Sequence, residues 1–121
     1  ELVHRHALQK SVIFSSFSAG NLRKAALFFP EAPRGLLCQP GALGVWARSF
    51  GFNFGDYAAL HPHITNVTAQ TVQRVHRLKR KINVWTANTE EDVRRLVGWG
   101  VDGIITDDPA LTVRAARGTS A

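Results

Sequence analysis

The sequence is poor in several residue types. Its 121 residues contain no methionine and one cysteine, Cys38. A lone cysteine excludes an internal disulfide framework and a cysteine-rich zinc site. No apolar run approaches the ~18 residues that a membrane-spanning helix requires. No cleavable leader pattern is visible, so the cytoplasm is the default expected compartment. The chain opens at Glu1 rather than at a methionine, and its length is therefore expected to be that of a piece of a larger protein. Acidic residues are also scarce: nine Asp and Glu stand against fifteen Lys and Arg, a net charge of +6.

What is present suits a globular domain. The composition is 45% hydrophobic and 20% charged, with a mean hydropathy of −0.09, which excludes a disordered polymer. The basic balance favours anionic partners. Its densest stretch is Arg74, Arg77, Lys79, Arg80 and Lys81. No aromatic side chain interleaves with these cations, as a nucleic-acid surface would need, so a solvated helix face is expected and no nucleic-acid partner.

The apolar pattern alternates between short runs and helical spacing. Ser11–Phe14, Arg34–Leu37, Tyr57–Leu60, Ile82–Trp85 and Val101–Ile105 read as strands. Between them, Leu22, Ala25, Ala26 and Phe29 mark one helix face behind Ser18 as N-cap. A short helix is expected within residues 41–52. Val72, Val75 and Leu78 form the core side of a helix capped by Thr68. Val93, Leu96 and Val97 do the same behind Thr89, whose partner Asp92 completes a capping-box pattern. Asp108-Pro109 is a cap followed by proline at the first helical position. Strands alternate with helices and no hairpin signal joins them, which predicts βαβ units and a parallel sheet.

In parallel α/β folds, ligands lie beyond the carboxyl ends of the strands. The residues there are Ser15, Ser16 and Phe17; Cys38 and Gln39; His61 and His63; Trp85, Thr86 and Asn88; and Thr106, Asp107 and Asp108. The set is polar, mostly neutral and partly aromatic. It suits a small polar or polyol ligand and lacks a close acid pair or His–acid couple. His61 and His63 alone make an incomplete metal site, and Asp108 is explained as a cap, so no metal ligand is assigned. Loop 15–20 has one glycine, too few for a phosphate-binding loop.

The stretch Asn83–Leu111, NVWTANTEEDVRRLVGWGVDGIITDDPAL, resembles the last two βα units of the glycerophosphodiester phosphodiesterase family. The carriers are Trp85-Thr86-Ala87-Asn88 and the run Gly100 through Pro109. Upstream, VIFSSFSAGNLRKAALFFPEAPRGLL resembles the family's Ser-Phe strand and the Gly-Leu-Leu strand after it. The resemblance implies an α/β fold: a partial TIM-type βα barrel with five parallel strands, the first three strands absent, and residues 1–121 as the C-terminal part of one barrel domain. It implies a metal-dependent phosphoric diester hydrolase that cleaves glycerophosphodiesters to glycerol 3-phosphate and an alcohol.

The same resemblance matches Trp85, Ser16, Phe17 and Asn88 to substrate-binding positions. It places the acid–base histidines and the ligands of a divalent cation, calcium or magnesium, outside this chain, so no catalytic residue is assigned and the segment alone is expected to be inactive. His4-Arg5-His6 is followed by Ala7 and reads as a helix end, not as the family's His-Arg-Gly. The alternative is a catalytically incomplete half-barrel that binds a phosphorylated ligand or a protein partner without turnover. Either way, open barrel edges predict self-association of the isolated chain.

Overall fold

A computed structural model describes residues 1–119. Its strands are β1 (Phe14–Ser16), β2 (Arg34–Cys38), β3 (Ala59–Pro62), β4 (Lys81–Val84) and β5 (Gly103–Ile104). All neighbouring strands pair in parallel, and their spatial order follows the sequence, β1-β2-β3-β4-β5. The helices are α1 (Leu2–Arg5), α2 (Ala19–Phe28), α3 (Phe52–Phe54), α4 (Ala69–Arg77), α5 (Glu90–Trp99) and α6 (Pro109–Thr119). A 3-10 turn, Ala42–Gly44, and a π turn, Ala47–Gly51, lead into α3, so the helix expected within 41–52 is irregular and runs further.

Sequential order decides the architecture. Parallel crossovers are right-handed, so strands added always on the same side send every helix to one face. Strand residues confirm this by alternation. Leu36, Cys38, Leu60, Ile82 and Val84 are buried in one core with Leu22 of α2, Val72 and Val75 of α4, Val93 and Leu96 of α5 and Ala115 of α6. The intervening residues, among them Ser15, Gly35, His61, Asn83 and Gly103, turn to the other face. This is a βα-barrel wall of five units, with one face under helices and one facing the lumen.

Local chemistry fixes the elements. The Ser18 hydroxyl accepts from the Asn21 amide, and Thr89 accepts from that of Asp92. Thr68 and Thr71 form a reciprocal capping box. Gly100 closes α5 with φ +79, a left-handed conformation that glycine adopts without a Cβ penalty.

Further expectations are corrected. β1 lies later than the expected Ser11–Phe14, so Ser15 and Ser16 are within the strand rather than beyond it. Leu78 is the exposed C-cap of α4, because the helix ends at Arg77, one residue before it. β3 starts two residues later than its apolar run, so His61 lies within the strand rather than in the loop after it. The basic stretch is not simply a solvated face. Arg74 donates to Asn53 Oδ1 at 2.7 Å and to the Arg48 carbonyl at 2.8 Å. Arg80 donates to the Phe52 carbonyl and stacks over that ring, fastening the 42–54 segment to α4.

Candidate functional site

The lumen face carries its side chains in rows. Near the strand ends, Trp85 meets His63 edge-on at 4.8 Å between ring centroids and Phe17 edge-on at 5.9 Å. T-shaped contacts of this length are favourable for rings with a negative face and a positive edge. The indole is oriented by its own polar handle: Nε1 donates to the His61 carbonyl at 2.8 Å. The Trp85 amide donates to the Pro62 carbonyl, and the Trp85 carbonyl accepts from Ile64, so the residue extends β4 beside the end of β3. The Trp85–Thr86 peptide bond is cis. Phe17 remains 50% exposed and Trp85 half-buried, leaving aromatic surface at the mouth.

Deeper on the same face sits a polar row. His61 is 3% exposed, yet both ring nitrogens are engaged: Nδ1 with Ser15 Oγ at 2.8 Å and Nε2 with Asn83 Nδ2 at 2.9 Å. Burial pushes its pKa below the ordinary imidazole value, favouring the neutral ring. Gly35 makes the reach possible, since a Cβ there would lie 2.5 Å from the ring.

Of the residues singled out from the sequence, Trp85 and Phe17 come together. Ser16 and Asn88 do not join them. The Ser16 hydroxyl accepts from the Ser18 amide at 3.0 Å, and its register partner Leu36 is on the helix side. The hydroxyl on the lumen face is Ser15. Asn88 braces the next loop: its Oδ1 accepts from the Asp107 amide at 3.0 Å and from Thr106, while its Nδ2 donates to Asp107 Oδ2 at 2.8 Å. The Asp108 carboxylate caps α6 through the Leu111 amide at 2.9 Å. Asn83 carried no signal in the sequence beyond its strand parity, one residue out of phase with Ile82 and Val84.

This donor set does not fit a divalent cation. Among the described residues no three His, Cys, Asp or Glu side chains gather as ligands. His61 is saturated, His63 is tied to Thr65, and Asp107 and Asp108 are committed to Asn88 and the α6 cap. Cys38 is a buried thiol on the helix side; burial raises its pKa to about 11, against the opposing pull of Arg48 and Arg74.

Residues 1–111 match the sequence profile of the glycerophosphoryl diester phosphodiesterase family. The chain belongs to this family. It is similar to a glycerophosphodiester phosphodiesterase from Caldanaerobacter subterraneus subsp. tengcongensis, 31% identical over 115 residues, covering 95% of this chain and 46% of that protein. A solved structure from Silicibacter pomeroyi, assigned to the glycerophosphoryl diester phosphodiesterases, superposes with a TM-score of 0.87 at 27% identity, covering 96% of this chain and 41% of the other. A phosphodiesterase from Oleispira antarctica, solved in complex with the product sn-glycerol-3-phosphate, superposes with a TM-score of 0.70 at 26% identity over 88% of this chain and 41% of its own. The chain thus spans less than half the length of the relatives it matches, and its five parallel strands superpose on part of the barrel of those structures.

Proposed function

We propose that this chain is the substrate-side wall of a glycerophosphodiester phosphodiesterase. The carrying observation is the Trp85–Phe17–His63 aromatic group at the carboxyl ends of lumen-facing strands. Trp85, clamped by its bond to the His61 carbonyl, offers a rigid apolar plane against which the carbon skeleton of a glycerol unit can lie. Phe17 walls the other side. Asn88 and Ser16 act on loop shape, holding the mouths of β4 and β1. Product binding by the Oleispira relative supports glycerol 3-phosphate as the ligand class.

Hydrolysis then needs an acid, a base and cation ligands from strands that complete the barrel. The cation supplies charge neutralisation at the phosphodiester when bound there. This chain contributes binding and orientation.

In the full-length protein carrying this chain, Trp85→Ala should raise KM for glycerophosphocholine about tenfold, the scale of one lost aromatic contact, with a smaller change in kcat. An unchanged KM overturns the assignment. Wild-type protein that binds glycerol 3-phosphate without hydrolysing the diester would instead favour a non-catalytic half-barrel.

A further inference from the structure

The polar row below the aromatic mouth has a direction built into it. An amide nitrogen donates and does not accept, so Asn83 Nδ2 fixes His61 Nε2 as an acceptor. A neutral imidazole carries one proton, which therefore sits on Nδ1. Nδ1 then donates to Ser15 Oγ, using that oxygen as an acceptor. The Ser15 hydroxyl hydrogen has no part in this bond and is left to donate elsewhere. Ser15 is exposed on the lumen face of β1, two residues below Phe17 on the same side of the strand.

The surroundings keep this arrangement in place. Layers in a βα barrel are built from alternate strands. His61 on β3 reaches Ser15 on β1 across Gly35 of β2, where any side chain would meet the ring. Gly103 of β5 leaves the matching room for the Asn83 amide. Burial favours the neutral ring on which the directionality depends.

We infer that Ser15 is a ligand-binding residue: a lumen-facing hydroxyl donor, oriented by His61 and Asn83, that binds an anionic oxygen of a phosphorylated polyol. This rests on the reading that the lumen mouth receives a glycerophosphodiester and names one further contact in that site. Ser15 binds; His61 and Asn83 act through it as positioning residues. A hydroxyl whose oxygen is already polarised by an N–H is a stronger donor than a free serine, because hydrogen bonds in a chain reinforce one another.

The test uses the full-length protein and two readouts. The first is the dissociation constant for glycerol 3-phosphate, with glycerol as the uncharged control, in wild type, Ser15→Ala and Ser15→Thr. Ser15→Ala should weaken glycerol 3-phosphate about tenfold, as expected for a hydrogen bond to a charged group, and leave glycerol nearly unchanged. Ser15→Thr keeps the hydroxyl on a strand residue and should restore binding to within about threefold. The second readout is the nitrogen NMR signature of His61, assigned by its loss in His61→Gln; it should report the Nδ1-protonated tautomer in wild type. Equal binding by wild type and Ser15→Ala overturns the inference, and so does an Nε2-protonated His61. Loss of diester hydrolysis in wild type would defeat the functional reading while leaving the tautomer and phosphate-binding results to stand by themselves.

Discussion

His61 shows how one residue ties sequence to stability. Its folded pKa lies below the ordinary ~6.5 of histidine, so between the two values the unfolded chain binds the extra proton. Stability must therefore fall as pH drops below about 6.5 and level off once the folded ring also protonates. Denaturant melts of the full-length protein from pH 8 to 5 should show this loss, and His61→Gln should flatten it. Gly35→Ala would push a methyl into the His61 ring; overpacking of this kind costs about 1–3 kcal/mol, readable as a lower denaturation midpoint. Cys38 should resist a thiol reagent at pH 8 until the protein unfolds, since it is both buried and protonated. The sequence pointed to Trp85 and Phe17 through the resemblance to the family's motifs, with Trp85 also marked by its place at a strand end. It could not reveal that Ser15 rather than Ser16 faces the lumen, because adjacent serines differ only in strand parity, and parity follows from register.

At the scale of elements, caps were the most legible feature. Ser18, Thr68, Thr89 and Asp108 all cap the helices expected of them, because a short polar side chain before a helical run has one local use. Thr89→Ala should cost about 1 kcal/mol by removing the acceptor for the Asp92 amide and, with it, the side-chain bond to Asp92. β3 was harder to place. Its pairing starts at Ala58, whose amide reaches the Arg34 carbonyl, while Tyr57 is drawn aside to stack on Phe52. At its other end the strand continues through His61 and Pro62, residue types that usually end strands; here partners on both sides of the imidazole offset its burial. The β4–β5 pairing has a polar tie of its own. Asp102 accepts from the Ile82 amide at 2.9 Å and from His76 at 2.8 Å. Desolvation raises its pKa, but the His76 and Ile82 hydrogen bonds and nearby positive charge outweigh it and hold the carboxyl below its ordinary value.

For the molecule as a whole, the sheet is a wall with two free edges and an uncovered lumen face. Ile13 and Ile105 on that face are each 42% exposed, and β1 and β5 each pair on one side only within the described chain. Unpaired edges and apolar lumen residues should make the isolated chain self-associate. Light scattering on the isolated chain should give a mass well above 13.3 kDa, and a monodisperse monomer would contradict the open-wall description. The alternation of strands and helices was readable from periodicity alone. Closure of the wall into a barrel was not, because nothing in the periodicity fixes strand order; the family motifs and the sequential topology carry that step. The central claim is that this wall binds substrate while the reacting groups lie on other strands. Its most direct test is glycerol 3-phosphate release from glycerophosphocholine with excess divalent cation, measured for the 121-residue chain alone and for the same chain with its barrel completed by the remaining strands. The account predicts no turnover from the chain alone and metal-dependent turnover from the completed barrel; turnover by the chain alone would contradict it.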